Sequence, residues 1–389
     1  MSIASTLRGL ASGAVGLAAP LALAACLEAQ PTPELPSTPA SAFTLTTLAD
    51  GLDKPWAVAP LPDGGALVTE KPGRIWRVAA DGTKSEVSGG PSPYYVDDPQ
   101  SQAGLFDVVA APDFAESGRV YVSSAVGTAD ANGTALFSYR LDGTALTDER
   151  ELFRSRDPKD TNAHFGAKIA VLPDGTLALS TGDGFAYREA AQDLGSHLGK
   201  IVRVNADGSV PADNPYADSV RPEIWSWGHR NVQGLAVDPA TGQLWEHEHG
   251  PRGGDELNRI EAGANYGWPV ATTGRDYNGA RISPFDRAAE FTPFVHQWTP
   301  SVAPSGLAVY RGDLFADWDG DMLVGALAGK SLRRLDMDDG QVVGEEVLLG
   351  DLGARIRDVR VAPDGSVWVL QDGAEGGASL LRLAPSSES

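Results

Sequence analysis

The chain has 389 residues, 42% of them hydrophobic, which is enough for one large domain with a sizeable core or for two ordinary ones. A formal net charge of −21 leaves no basic surface for a phosphate backbone and argues against nucleic acid as a partner. With 45 glycines and 27 prolines spread along the chain, many turns joining short strands are favoured over long helices.

Residues 1–25 carry one positive charge, Arg8, ahead of an apolar Ala/Leu/Gly run. This is the pattern of a secretory signal peptide, too short and too rich in small residues for a membrane span. The segment ends in Leu23-Ala24-Ala25-Cys26, which resembles a bacterial lipobox and predicts Cys26 as the lipidated N-terminus of the exported protein. Cys26 is the single cysteine of the chain, so the exported domain can form no internal disulfide. Residues 26–42, rich in Pro, Ser and Thr, read as a tether between lipid and domain. The expected location is the periplasmic side of a bacterial cell envelope, with the membrane touched only through the lipid.

From Phe43 the chain repeats one unit: apolar alternation, a turn of Pro-Asp-Gly type, then a second alternating strand. The instances are APLPDGGALVTE (59–70), APDFAESGRVYVSS (111–124), VLPDGTLALSTGDG (171–184), VDPATGQLWEHEHG (237–250), ADWDGDMLVGAL (316–327) and APDGSVWVLQDG (362–373). Proline presets such a turn and glycine supplies its positive φ. Six hairpins at this long, irregular period predict an all-β fold over 43–385. The expected architecture is a six-bladed β-propeller with four-stranded antiparallel blades, ahead of a large β-sandwich. Helical periodicity is scarce; DELNRIEAG (255–263) offers one short helical turn.

Three polar blocks stand out, and a propeller would gather them at one mouth of its channel. In NAHFGAK (162–168), His164 is a candidate general base, with Asp183 of STGDG as a carboxylate that could orient it. GHRNVQG and LWEHEHGPRGGDE (228–255) are dense in ionisable groups. Our reading puts His247 and His249 on opposite sides of a strand, and the spacing is not HExxH, so zinc is a weak expectation. The carbonyls of Gly250 and Pro251, in a turn, are hard oxygen donors suited to calcium, although no EF-hand spacing is present. In RIRD, Arg355 and Arg357 share a strand face with Asp358 opposite. With Arg230 they suit an anion that carries several carboxylates.

Together GLDKPWAVAPLPDG, SQAGLFDVVAAPDF, NAHFGAK, GHRNVQGLAVDP, EHGPRGGDELN, GANYGWP, APSGLAVY and RIRDVRVAPDG resemble the soluble glucose/sorbosone dehydrogenase family. The likeness spans about Leu52 to Gly373 and is greatest to bacterial aldose sugar dehydrogenases that use pyrroloquinoline quinone (PQQ). The resemblance implies a six-bladed propeller that oxidises the anomeric hydroxyl of aldoses to lactones. It implies His164 as the base, with hydride passing to the quinone C5 carbonyl, and Gly250 and Pro251 as backbone ligands of a calcium ion that holds the cofactor. Arg230 and Asn231 match contacts near the reactive carbonyl. Gln102 matches a contact at the mouth, and Arg355 with Arg357 matches the pair that grips the cofactor carboxylates. A family lysine is replaced at Ala326-Leu327-Ala328, with Lys330 as a possible substitute. Ala163 and Lys168 also depart from the pattern, pointing to the broader aldose type. Trp298 is a candidate sugar-stacking ring, and the likeness raises a second, structural calcium near 263–269. The electron acceptor is not named by the sequence. Two other readings stay open: a calcium-dependent propeller lactonase or hydrolase, and a non-catalytic propeller that binds glycans or proteins.

Overall fold

The protein is described here from a computed structural model that covers residues 35–36, 41–373 and 377–386. The segment expected to be a signal peptide, Cys26 and most of the expected tether lie outside the described residues. Among those described, no helix is long and apolar enough to cross a membrane.

The strands form six four-stranded antiparallel sheets, the blades of a six-bladed β-propeller. The innermost strands, blade by blade, are Pro55–Pro60, Leu105–Ala110, Gly166–Val171, Val232–Val237, Pro304–Val309 and Arg355–Val361. In blade 6 the outermost strand is the first of the domain, Phe43–Leu52, which pairs antiparallel with Ala378–Pro385 and closes the ring. All six Pro-Asp-Gly-type segments fall between the innermost and second strands of their blades. The short helix Phe114–Ser117 and the 3-10 turn Ala316–Trp318 sit in two of these connections.

Burial is organised between the blades. Six apolar clusters fill the six junctions, such as Trp56, Leu67, Phe106 and Val122 between blades 1 and 2. The channel is crossed by buried ion pairs rather than left empty. Lys168 Nζ lies 3.0 Å from Asp358 Oδ1, and Arg360 Nη2 lies 2.8 Å from Asp107 Oδ1. The same two carboxylates accept the backbone N–H groups of Val58 and Ile169, so each charge is satisfied as burial requires.

Every innermost strand carries a register shift near its start, at 55/57, 105/108, 166/169, 232/234, 304/307 and 356/358. A bulge re-aims side chains and ends pairing locally, and here six converge on one end of the channel. That end also holds the inter-blade loops and each blade's second hairpin, opposite the Pro-Asp-Gly-type turns. The polar blocks lie there.

Two expectations are corrected. Asp255–Ile260 is a strand, pairing Leu257 with His247, because its alternate residues bury a polar face against blade 3. His247 and His249 share a face, as residues two apart on a pleated strand must. Their Nε2 atoms lie 3.2 Å and 2.7 Å from the carbonyls of Gly306 and Pro304 on the innermost strand of blade 5. Gly234 makes room for the first ring, since a Cβ there would lie 2.2 Å from His247 Nε2.

Candidate active site

His164 ends the loop between blades 2 and 3 with φ 52°, in the left-handed region. Three contacts hold that strained backbone. The His164 N–H donates to Gln102 Oε1 at 2.7 Å, and the His164 carbonyl accepts from Gly184 N at 3.3 Å. Gly182 lets the segment approach, because a Cβ there would lie 2.2 Å from the His164 oxygen. Nδ1 meets Asp183 Oδ1 at 2.6 Å. Asp183 in turn accepts from Trp268 Nε1 at 2.8 Å and from the Phe185 N–H at 2.8 Å. An aspartate that accepts three hydrogen bonds stays ionised and fixes the Nδ1–H tautomer, leaving the Nε2 lone pair for substrate. Burial first, then the Arg230 charge, depresses the His164 pKa below the ordinary histidine value against the opposing pull of Asp183. Burial pushes Asp183 up, but the His164 hydrogen bond and charge, with Arg230, outweigh it and hold the carboxyl low.

Arg230 reaches across from blade 4. Its backbone N–H donates to Glu248, Nη1 donates to the His249 carbonyl at 2.7 Å, and its guanidinium lies 5.3 Å from the centre of a Trp268 ring. Asn231 Oδ1 accepts from Gly166 N at 3.2 Å, while Asn231 Nδ2 is buried with no hydrogen-bond partner among the described residues.

Beside this dyad opens a cavity of about 220 Å³. Trp56, Phe106 and Phe165 give it aromatic walls; Gln102, Asn231 and His249 are also on its lining. Its far side is cationic: Lys71, Arg355 and Arg357 all line it. The two arginines converge on Asp372 Oδ2, at 3.5 Å and 3.1 Å, and Arg357 Nε is buried without a hydrogen-bond partner among the described residues. Lys71 Nζ donates to the Ser101 carbonyl at 2.7 Å. Burial, with the neighbouring charges of Arg357 and Lys54, brings Lys71 down to about 8.

The structure therefore brings His164, Gln102, Arg230, Asn231, Arg355 and Arg357 to one mouth. Neither Lys330 nor Trp298 lines the cavity. Lys330 is exposed in the hairpin after Met322–Ala326, where Leu327 is the residue that lines the cavity. Trp298 is buried in the junction of blades 4 and 5, with Nε1 donating to Glu345 at 3.1 Å. Lys71, Asp372 and Trp268 were not legible as site residues. Lys71 follows ALVTE in the second hairpin of blade 1, a position visible only once that hairpin is known to face the mouth.

Gly250 and Pro251 are buried in a turn next to His249. The Gly250 N–H donates to Asp255 Oδ1 at 2.8 Å, and Asp255 also accepts from Ser301, Val302 and Ala303. Behind the turn lies a buried polar cluster. Glu246 faces Asn258, and Glu248 faces Glu256, across the ladder of Leu244–Glu248 with Asp255–Ile260. His229 stacks on Tyr266 at 4.8 Å, with Nδ1 3.6 Å from Glu246 Oε1. Candidate ligand atoms of His229, Glu246 and Glu248 lie within 4.8 Å of one another. His229 Nδ1 and Glu246 Oε2 have no hydrogen-bond partner among the described residues. Burial raises Glu246 and Glu256 to about 8.

A cavity with aromatic walls and a cationic rim, beside a histidine–aspartate dyad at one mouth of a propeller, is the arrangement of an enzyme site. The comparisons agree in class. The family profile described as Glucose / Sorbosone dehydrogenase matches residues 52–382, and the chain belongs to that family. An aldose sugar dehydrogenase of Escherichia coli is 41% identical over 348 residues, covering 87% of this chain and 92% of that protein. The PQQ-bound aldose sugar dehydrogenase of Streptomyces coelicolor superposes with a TM-score of 0.71 at 31% identity, covering 89% of this chain and 99% of that one. Quinoprotein glucose dehydrogenase B of Acinetobacter calcoaceticus is 27% identical over 412 residues, 85% of this chain and 86% of that protein.

Proposed function

We propose that the protein is a PQQ-dependent aldose sugar dehydrogenase that oxidises the anomeric hydroxyl of aldoses to lactones and delivers electrons onward to a quinone-type acceptor. The observation that carries this reading is the cavity itself: three cationic side chains line it, and so do Phe165, next to His164, and Gln102, which holds the His164 N–H. A tricarboxylate cofactor fits that donor set, because Arg357 Nε and Asn231 Nδ2 are buried donors without a hydrogen-bond partner among the described residues. A lactonase built around a metal-bound water has no use for three convergent cations.

Lys71, Arg355 and Arg357 would hold the cofactor carboxylates, with Gln102 and Asn231 on its polar edge and Trp56, Phe106 and Phe165 against its rings. Bound there, PQQ supplies the two-electron acceptor for the hydride that leaves the anomeric carbon. His164 Nε2 takes the proton of the anomeric hydroxyl, while Asp183 stabilises the imidazolium that results. Arg230 sets a positive charge beside the reacting atoms, where developing negative charge needs it. The Gly250 and Pro251 carbonyls would hold a calcium ion at the cofactor. We assign the second cation suggested for 263–269 to the cluster of His229, Glu246 and Glu248 beside Tyr266, whose unpartnered atoms fit an ion.

The test is reduction of an artificial dye by the purified domain with a panel of aldoses and calcium, with and without PQQ. Activity that appears only with PQQ supports the reading; equal activity without it, or none with it, refutes it. Lys71→Met should weaken PQQ binding roughly 10–100-fold, the cost of one charge-assisted hydrogen bond of about 1.5–3 kcal/mol. Quenching of protein fluorescence by PQQ reads this, and unchanged affinity removes Lys71 from the grip. The envelope location rests on Cys26. Cys26→Ala should abolish labelling by radioactive palmitate and move the protein from the membrane to the soluble fraction; a variant that stays on the membrane has another anchor.

A further inference from the structure

Phe185 is not used by the reading above, and three observations single it out. It follows Gly184 in the hairpin beyond Asp183, and both residues have left-handed backbone, φ 71° and 66°. Glycine adopts that conformation freely, whereas a bulky aromatic is strained there. The residue is nonetheless 48% exposed, so the strained backbone is not the cost of burying the ring in the core. The ring stands edge-on to His164 at 5.1 Å and 84°, and beyond it Tyr277, 54% exposed, lies at 6.1 Å and 32°. The position is fixed as well: the Phe185 N–H donates to the same Asp183 oxygen that orients the base.

We propose that Phe185 is the platform on which the reducing-end pyranose of the substrate lies, a proposal that rests on the sugar dehydrogenase reading. Sugar rings present an apolar C–H face, and an exposed aromatic beside the base gives that face a surface to cover. Stacking would aim the anomeric hydroxyl at Nε2 of His164, whose ring centre lies 5.1 Å from that of the platform. Because the platform is open to solvent on its outer side, the selected class is cyclic aldoses with one free C–H face, including reducing ends of short oligosaccharides. Tyr277 extends the apolar rim and, through a hydroxyl 3.4 Å from Arg230 Nη2, ties it to the cation at the reacting centre.

The experiment compares wild type with Phe185→Ala, Phe185→Gly and Phe185→Trp, all loaded with PQQ and calcium. The expected result is a KM for glucose about tenfold higher in the alanine and glycine variants, with kcat within about twofold, and recovery in the tryptophan variant. The glycine variant should melt no lower than wild type, since it relieves the backbone, which removes unfolding as the cause. Binding of methyl β-glucopyranoside, which has no free anomeric hydroxyl, is followed by saturation-transfer NMR as a readout without turnover. It should weaken about tenfold in the alanine and glycine variants and be kept in the tryptophan variant. Equal KM and equal glycoside binding across the four proteins overturn the proposal. Dye reduction with such equality sinks Phe185 alone. Phe185-dependent glycoside binding without PQQ-dependent dye reduction sinks the dehydrogenase reading and leaves the sugar platform standing.

Discussion

His164→Ala should lower kcat for aldose oxidation by about 10³-fold, within the 10²–10⁴ range that general-base removal usually costs, and leave PQQ affinity within about twofold of wild type. The cofactor cavity is lined by other groups, so truncating a side chain at its edge removes chemistry and not the grip. Asp183→Asn should act on the same step while touching no substrate, because an amide oriented by the Trp268 and Phe185 donors no longer dictates which imidazole nitrogen carries the proton. The pH dependence follows from the direction of the His164 shift. The active form is the neutral imidazole, so rate is lost as pH falls through the folded-state value. Burial and the Arg230 charge set that value below 6.5, and the acid limb of kcat/KM should lie below 6.5 too. Stopped-flow reduction of bound PQQ, measured between pH 4 and 8, reads both effects. Turnover unchanged in the alanine variant would remove His164 from the base role, and an acid limb above 6.5 would contradict the burial argument.

Much of this architecture was legible in the sequence because turn chemistry is local. Each Pro-Asp-Gly-type segment commits two flanking strands to a hairpin, and six of them count six blades without knowledge of how the blades meet. The dyad was half legible: His164 and Asp183 are each visible as loop groups, but only the 182–184 turn, squeezed against the His164 carbonyl, makes them partners. The cationic rim shows the limit more sharply. Arg355 and Arg357 announce themselves by alternation in one strand, whereas Lys71 belongs to a different blade and joins them only through closure of the ring. Trp298 and Trp268 make the same point in reverse. Both lie near conspicuous loops, and the strand pairing of Asp255 with Trp298 turns one indole into the blade 4–5 junction. The other is left beneath Arg230. The acidic residues of 246–256 read only as part of a stretch dense in ionisable groups, since sequence alone does not reveal that cross-strand pairing stacks Glu246, Glu248 and Glu256 on one buried face.

That buried face sets the second large expectation: removing divalent cations should lower the melting temperature and make the remaining stability fall as pH rises. An ion present at about 1,000 times its dissociation constant adds about 4 kcal/mol, which for a domain of this size is a shift of roughly 5–10 °C. The sign of the pH effect comes from Glu246 and Glu256, whose ordinary value of 4.5 is raised to about 8 by burial. Glu248 is raised as well, by burial and by the charges of the other two. A group raised on folding contributes stability in full below its unfolded value and loses it as pH rises through the folded one. Stripped protein should therefore weaken between about pH 4.5 and 8, as the folded state is forced to ionise carboxyls that face one another. With an ion in place the carboxylates are ionised already, and the slope should flatten. Glu246→Gln keeps the shape, removes one charge and the unpartnered carboxylate oxygen, and should both raise the pH 8 melting temperature of stripped protein and shrink the gain on adding calcium. Calorimetry of stripped and calcium-loaded wild type and variant between pH 5 and 8 separates the cases. Identical melts with and without calcium at every pH would mean that the cluster keeps its protons and holds no ion. A calcium gain equal in wild type and Glu246→Gln would assign the stabilisation to the Gly250-Pro251 turn alone.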